Sequence, residues 1–235
     1  MDNKFTVIKS ADSDNDIEMK RINKILLWNK AWERYFSKLV DKAIGDGYDK
    51  TENIPQDELM QIGLSGVKYI CSSLDIRSEN KRLGIDRPAT LDEVKAKYQL
   101  FDFLFTVLGA VTLKNFVTTF PIKKIYDGNK WETKDYFYTM GVLSKMDWEK
   151  PIGRDKMFDF LWDYVNDDLI RVNVEYMGIL SDMYRSQTGK GIEEQFCEDN
   201  GIGTYTVDRD TGFMRDNLTG EISRFKKQSH IQVVK

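Results

Sequence analysis

Apolar residues recur at helical spacing over a long stretch of the chain, residues 155–186, and this periodicity restricts the fold more than any other feature. Steps of three or four residues place side chains on one face of an α-helix, so the stretch predicts one long amphipathic helix. Such a helix buries its apolar stripe against other helices. The residues that keep the spacing are Phe158, Leu161, Trp162, Val165, Leu169, Val172, Tyr176, Ile179 and Met183.

Four shorter stretches also have helical character, and strands do not alternate with helices along the chain. The expected fold is therefore mainly α, a bundle-like body of about five helices, and the pattern argues against a doubly wound nucleotide-binding fold. Gly63 and Gly66 lie inside the second helix and predict close packing against a neighbouring helix. The shorter helices are expected at about residues 13–45, 55–74, 90–116 and 134–146.

The helical pattern stops at about residues 121–132, where a short β-hairpin insertion is expected. Pro121 prevents continuation of the preceding helix, and Asp127-Gly128 is a hairpin-turn signal. Three segments follow from this interpretation. They are an extended N-terminal arm at 1–13, a helical body at 14–200, and a β meander with a basic C-terminal tail at 201–235.

The segment DRDTGFMRDNLTGE contains two copies of D-x-x-T-G, eight residues apart. A calcium loop of the EF-hand type is excluded, because its fifth, sixth and twelfth positions would be Gly212, Phe213 and Thr219. Aspartate accepts hydrogen bonds from backbone N–H groups just ahead of it, and glycine tolerates positive φ. The four residues that shape the two turns are Asp208, Gly212, Asp216 and Gly220.

These turns predict a three-stranded meander whose strands are about four residues long, which is marginal on its own. It is expected to dock on the helices or on another chain. Tyr205, Phe213 and Phe225 are its candidate assembly contacts, together with Trp28, Trp32 and Trp162 from the helices. Arg224, Lys226 and Lys227 are candidate contacts to DNA phosphates or to an acidic partner. Core packing of the aromatic residues and a frayed terminus are the alternatives.

No catalytic, cofactor-binding or metal-binding constellation is predicted. His230 is the one histidine and lies in the polar tail, far from any arrangement that would position a general base. YRSQTGKG at 184–191 lacks the first glycine and the Ser or Thr of a phosphate-binding loop, so Gly189-Lys190-Gly191 is interpreted as a helix C-cap. Asp163 and Asp167 would lie one turn apart on the longest helix, which leaves a metal-dependent enzyme as a weaker alternative.

The balance of 35 basic against 38 acidic residues argues against a surface that is basic throughout. The apolar stretch at 100–113 is too short to span a membrane and predicts a buried helix. The polar N-terminus has no secretory signal, and Cys71 and Cys197 need no disulfide partner, so synthesis in the cytoplasm is expected.

The layout of helical body, polar arm, hairpin insertion and β-rich basic tail resembles the ring-forming connector (adaptor) proteins beneath the portal of tailed bacteriophages. The Lys-, Asn-, Asp- and Tyr-rich composition and the phrase FPIKKIYDGNKWETKDYFYTM are similar to structural proteins of crAss-like phages in particular. The resemblance implies a non-enzymatic virion protein, made in the host cytoplasm, that forms a ring around the DNA channel. It implies as partners other copies of the chain, the portal, adjacent connector or tail proteins, and non-specific contact with packaged DNA, without a cofactor or a membrane.

A different function is also compatible with the residues. A monomeric phage regulatory protein would bind a host protein or nucleic acid through the basic tail at 224–235. Mass in solution distinguishes this interpretation from a ring.

Overall fold

A computed structural model describes residues 14–47, 50–126, 133–208, 210–217 and 219–224. Over these residues the protein is mainly helical with one small antiparallel sheet near the C-terminus, which confirms the predicted mainly α class and the C-terminal meander. The helices are α1 (Asp14–Gly45), α2 (Gln56–Arg82), α3 (Leu91–Gly109), α4 (Leu113–Thr119), α5 (Ile122–Tyr126), α6 (Thr133–Leu143), α7 (Arg154–Val165), α8 (Leu169–Thr188) and α9 (Ile192–Asp199). The strands are β1 (Tyr205–Asp208), β2 (Phe213–Asp216) and β3 (Ile222–Arg224).

The expected number of about five helices is wrong, and one reason is that the expected helix at 90–116 is two helices. The chain leaves helical geometry between Gly109 and Leu113 because its backbone bonds elsewhere. The Val111 carbonyl accepts a hydrogen bond from Ile152 N at 3.0 Å, and Leu113 N donates to the Lys150 carbonyl at 3.1 Å. The Gln56 side chain bonds both Ala110 O and Thr112 N, at 2.9 and 3.0 Å.

The longest predicted helix, at 155–186, is likewise interrupted, at residues 166–168. Asp167 adopts a left-handed backbone with φ of 56°, which an α-helix cannot contain. The next residue, Asp168, starts α8 as its N-cap, and its Oδ1 accepts a hydrogen bond from Arg171 N at 3.2 Å. The apolar spacing continues across this interruption, so periodicity alone did not reveal it.

The first half of the expected hairpin insertion is a helix instead of a strand. Ile122–Tyr126 forms α5, and the Pro121 carbonyl accepts hydrogen bonds from Lys124 N and Ile125 N at 2.8 and 3.2 Å. Proline ended the preceding helix as expected, but its fixed φ also suits the start of a new one. The Asp127-Gly128 turn signal lies outside the described residues.

The close packing predicted from Gly63 and Gly66 is confirmed. A Cβ on Gly63 would lie 2.6 Å from Leu108 Cδ2, and one on Gly66 would lie 2.8 Å from Leu104 Cδ1 and 3.0 Å from Phe36 Cε2. The two glycines therefore let α2 approach both α3 and α1. At the other end of α2, Arg21 Nη1 of α1 donates to Glu79 Oε1 at 2.8 Å.

The described residues divide into two compact units. The first contains the described chain up to residue 126 together with 148–176. Its core is aromatic: Phe116, Phe160 and Tyr176 are fully buried, and the Phe116 ring lies 4.8 and 4.9 Å from the other two rings. Tyr176 Oη donates to the Phe120 carbonyl at 2.7 Å, which satisfies the one polar atom of this cluster.

The second unit contains residues 133–147 and the described chain from 177 to 224. Gly189 N donates to the Arg185 carbonyl at 2.8 Å, which confirms the predicted C-cap of α8. Ser181 Oγ donates to Glu193 Oε2 at 2.7 Å and accepts from Ile192 N at 3.2 Å, so it fixes the start of α9. The sheet of this unit has the order β1-β2-β3 with both pairs antiparallel, which is the predicted meander.

Across the described ranges, no helix combines the length and the apolar character needed to cross a membrane.

Candidate interaction surfaces

The C-terminal sheet has one face that is exposed over all of its residues, which we call the outer face. Its members alternate along each strand, since neighbouring side chains of a strand point to opposite sides. Register places Phe213 beside Arg224 and Arg215 beside Ile222, so each large apolar side chain has an arginine opposite it. Phe213 is 47% exposed and Ile222 is 65% exposed. The outer face is formed by Thr206, Asp208, Phe213, Arg215, Ile222 and Arg224.

The opposite side of the sheet is partly covered. Tyr205 and Val207 of β1 lie on it and are exposed, whereas Met214 and Asp216 of β2 are half-buried. Tyr205 and Phe213, two candidate assembly contacts, therefore lie on opposite sides of the sheet and cannot contact one partner surface together. Phe225, the third of the meander, lies outside the described residues.

The two D-x-x-T-G segments connect β1 to β2 and β2 to β3. Asp208 Oδ1 accepts from Asp210 N at 2.9 Å and from Thr211 N at 3.2 Å. Hydrogen bonds from the Thr211 hydroxyl and backbone and from Asp210 N lower the pKa of Asp208. Asp216 Oδ1 accepts from Thr219 N at 3.1 Å.

A glycine ends each loop in left-handed geometry. Gly212 has φ of 69° and donates to the Asp208 carbonyl at 2.9 Å, and Gly220 has φ of 75° and donates to the Asp216 carbonyl at 2.8 Å. The carboxylates therefore hold the backbone of the two turns, which is the turn-forming role predicted from the sequence.

Trp28 and Trp32 lie on α1 and line a cleft of about 680 Å³ in the first unit, which we call the tryptophan cleft. Their rings meet edge to face with centroids 5.6 Å apart. Lys68 of α2 places its Nζ 4.5 Å from the centroid of the Trp32 ring. Trp28 is 58% exposed, so most of its ring is accessible to another molecule. The volume is within the range typical of small-ligand sites.

The polar groups that line the tryptophan cleft include an indole nitrogen, a thiol and a side-chain amide. Trp32 Nε1 is buried, and no described residue accepts its hydrogen bond. Burial raises the pKa of the Cys71 thiol to about 11, and Asn166 Nδ2 lies 3.8 Å from its Sγ. A thiol with this pKa is protonated at neutral pH and is a poor nucleophile. The cleft therefore suits binding of an apolar or aromatic group more than covalent chemistry.

Trp162 also lies in the first unit, but it does not line the tryptophan cleft. Its ring stacks on Phe158 with centroids 5.9 Å apart and lines a hollow of about 560 Å³ with Tyr69 and Leu100. The side chain is half-buried. Trp162 therefore packs within its own unit and is only partly accessible to a partner.

The arrangement proposed for a metal-dependent enzyme is wrong, because Asp163 and Asp167 do not share a helix face. Asp163 is the buried member, near the end of α7, and its Oδ1 lies 3.7 Å from Arg171 Nη1. Asp167 lies beyond the end of that helix, in left-handed geometry. Over the described residues, no group of three or more His, Cys, Asp or Glu side chains is placed to hold a metal ion.

Arg224, the last residue of β3, is exposed on the outer face of the sheet. The other predicted phosphate contacts, Lys226 and Lys227, and also His230, lie outside the described residues.

Sequence reasoning missed the tryptophan cleft as a site, although it named Trp28 and Trp32. The cleft also needs Lys68, Tyr164 and Asn166, which come from α2 and the end of α7. The run Asn166-Asp167-Asp168 was the available signal, since these residue types favour turns and tolerate left-handed geometry. Comparison of this chain with protein-family models, with curated proteins and with solved structures finds no match.

Proposed function

We propose that this chain is a non-enzymatic virion structural protein that assembles into a ring at the head–tail connector, joining portal to tail around the DNA channel. The setting comes from the resemblance to phage connector proteins. In this proposal the chain is made in the host cytoplasm and resides in the virion. Its partners are other copies of itself, the portal and the adjacent connector or tail proteins.

The observation that supports an assembly role is the exposed C-terminal sheet. Three strands of at most four residues are marginal without a partner surface. Phe213 and Ile222, which share the outer face, are nevertheless exposed by 47 and 65%. Moving a fully exposed side chain of this size out of water contributes about 1.5–3 kcal/mol. The fraction of these two side chains that is still exposed therefore provides about 2–3 kcal/mol when a partner covers the outer face.

A second surface compatible with assembly lies on α1. Leu27 and Trp28 are 69 and 58% exposed, and Trp28 borders the tryptophan cleft. Exposed aromatic residues next to a cleft are typical of the anchor positions in protein interfaces. In the proposed ring this surface would contact a neighbouring copy or the portal.

Contact with nucleic acid enters the proposal through the basic residues of the C-terminal segment. Arg215 and Arg224 lie on the outer face, and the sequence continues with Lys226 and Lys227. In a connector ring these side chains would face packaged DNA or an acidic partner. Phosphate contacts of this kind contribute affinity without sequence preference and weaken as salt is raised.

The test is the mass of the purified full chain over a range of concentrations, followed by electron microscopy of the same sample. Closed rings of one size are expected. A protein that stays monomeric, alone and mixed with portal protein, contradicts the proposal. Salt-sensitive DNA binding by that monomer, lost on deletion of 224–235, would instead support the regulatory function. A portal or capsid gene beside the gene for this chain would support the connector.

A further inference from the structure

The two edge strands of the C-terminal sheet are β1 and β3. Each has one side with no strand beside it among the described residues. Such edges carry unpaired N–H and C=O groups that recruit a further strand. Proteins usually protect an edge with lysine, proline or a bulge. The sequence of β1 is YTVD and contains neither residue, and its register with β2 is continuous.

The backbone hydrogen bonds show which residues of β1 face the open edge. Asn217 N donates to the Thr204 carbonyl at 2.8 Å, so the pair Thr204–Asn217 is a hydrogen-bonded pair. Such pairs alternate along an antiparallel ladder, which makes Thr206–Arg215 the next one. Tyr205 and Val207 therefore direct their N–H and C=O groups away from β2.

The same reasoning applies to β3. Asp216 N donates to the Glu221 carbonyl at 2.8 Å, so Glu221 and then Ser223 face β2. Ile222 and Arg224 consequently direct their N–H and C=O groups outward. Each of the two strands thus presents two residues, at the same spacing of two, whose outward N–H and C=O groups bond to none of the described residues.

We propose that the sheet continues from one copy of the chain into the next, with β3 of one copy pairing in parallel with β1 of its neighbour. The inference rests on the proposed ring assembly and names the contact through which it occurs. In this register Val207 of the neighbouring copy lies opposite Ser223. The Val207 N–H of the neighbouring copy donates to the Ile222 carbonyl, and the Val207 carbonyl accepts from Arg224 N–H. The Tyr205 carbonyl of the neighbouring copy accepts from Ile222 N–H.

Side-chain charge fits the same register. Parallel pairing brings Arg224 beside Asp208 of the neighbouring copy, and both side chains lie on the outer face. Asp208 is held in its ionised form by the hydrogen bonds of its turn. Ile222 comes beside Thr206, so no like charges meet along the contact. A second copy of this chain therefore satisfies the strand register, the outward backbone groups and the charge pairing together.

Strand direction favours this arrangement over a two-fold pairing. Within the meander β1 and β3 run parallel, because each is antiparallel to β2. A rotation about an axis along the strands keeps that direction, so the next copy presents β1 parallel to β3 and the contact repeats. Pairing of β1 with β1 of another copy would be antiparallel and would end after two copies.

Cysteine cross-linking of the full chain tests the register. In a chain with Cys71 and Cys197 replaced by serine, Val207→Cys with Ser223→Cys places the two thiols on opposite sides of the contact. Mild oxidation is expected to give a ladder of disulfide-linked dimers, trimers and larger species on non-reducing gels, because positions 207 and 223 of one copy lie about 10 Å apart across β2, too far for a disulfide. Either single variant is expected to stay at monomer mass. Circular dichroism and light scattering of the same samples confirm folding and assembly.

The other outcomes overturn the inference in ways that can be told apart. Rings of normal mass without a ladder would exclude the strand contact and leave the proposed function standing. Dimers from Thr206→Cys alone would indicate the two-fold β1 pairing instead. A chain that is monomeric by light scattering before any cross-linking would overturn the ring and the strand contact together.

Discussion

Two adjacent aspartates, Asp167 and Asp168, control the junction between α7 and α8 by different means. Asp167 reverses the chain with φ of 56°, a conformation that costs an L-residue about 1–2 kcal/mol. Asp168 offsets part of that cost by capping the next helix through the Arg171 N–H. The same residue type therefore destabilises one position and stabilises the next.

Substitution at these two positions is expected to change stability in opposite directions. Asp167→Gly removes the left-handed penalty and should raise the free energy of unfolding by up to about 1 kcal/mol. Asp168→Ala removes the N-cap and should lower it by about 1 kcal/mol. Urea denaturation of the two variants measures both changes. A loss of stability in Asp167→Gly would contradict the assigned strain.

The approach of α2 to its neighbours depends on Gly66. Gly66→Ala would place a methyl group 2.8 Å from Leu104 Cδ1, and because Leu104 is fully buried we expect a loss of about 1–3 kcal/mol. Gly178→Ala is the matched control, since it lies inside α8 with no atom within 4 Å of the added carbon. That variant should gain up to about 1 kcal/mol from helix propensity. Equal effects in thermal denaturation would refute close packing as the cause.

At the scale of elements, the start of α3 is held by charge as well as by its cap. Glu93 accepts from Thr90 N at 2.8 Å, while Thr90 Oγ1 accepts from Glu93 N at 3.3 Å. Arg87 forms two hydrogen bonds to the same carboxylate, at 2.6 and 3.0 Å. Arg87 and the Thr90 backbone lower the pKa of Glu93 from 4.5 to about 2.

This lowered pKa makes the start of α3 acid-sensitive in a defined direction. The folded state favours ionised Glu93, so its stabilisation is fully present above pH 4.5 and is lost as pH falls toward about 2. Arg87→Ala should raise the Glu93 pKa toward its ordinary value, as measured by carboxyl NMR titration. Arg82→Ala is the control, because Arg82 pairs with Glu79 and should leave the Glu93 titration unchanged.

Charge reversal tests the contact between sheets without adding a thiol. Arg224→Glu replaces attraction to Asp208 of the next copy by repulsion, and we expect association roughly two- to tenfold weaker at low salt. Arg215→Glu makes the same change on the same face but on the central strand, and should leave association unchanged. Sedimentation of both variants gives the comparison. Equal weakening would indicate a general charge effect and not an edge contact.

Local sequence patterns were enough to predict most of the helices and strands, but not the residues at which they end. The capping pair Thr90 and Glu93 marks the start of α3 through contacts within one turn, and the turn motifs mark the meander in the same way. The end of α3 depends on a hydrogen bond donated by Leu113 N to the Lys150 carbonyl and one accepted by the Val111 carbonyl from Ile152 N. Lys150 and Ile152 are about forty residues away, so no local pattern indicates this end. Pro121 was compatible with both a helix start and a loop, and packing decided between them.

The candidate surfaces were predictable to a similar extent. Trp28 and Trp32 could be named from their spacing on an amphipathic helix. The Lys68 contact with the Trp32 ring and the buried Trp32 Nε1 could not, because both depend on how other helices, α2 among them, pack against α1. The placement of Asp163 and Asp167 failed for a related reason, since one left-handed residue shifts every later side chain to a new face.

At the scale of the whole molecule, the C-terminal segment is expected to carry assembly and little of the fold. A chain that ends at residue 200 should keep the helical circular dichroism signal and a closely similar midpoint of thermal unfolding. Its mass in light scattering should fall to that of a monomer. Rings formed by this truncated chain would show that the helices assemble without the sheet.

Neither unit is one continuous piece of chain. The first unit is interrupted by residues that belong to the second, and α8 begins in one and ends in the other. During synthesis the residues around 133–147 leave the ribosome before most of their own unit exists. They can pack into that unit only after the chain beyond 177 has been made. The first unit in turn cannot complete its aromatic core until Tyr176 has been added. Folding of the two units is therefore linked in time to translation of a single helix, and a pause within α8 would leave both incomplete.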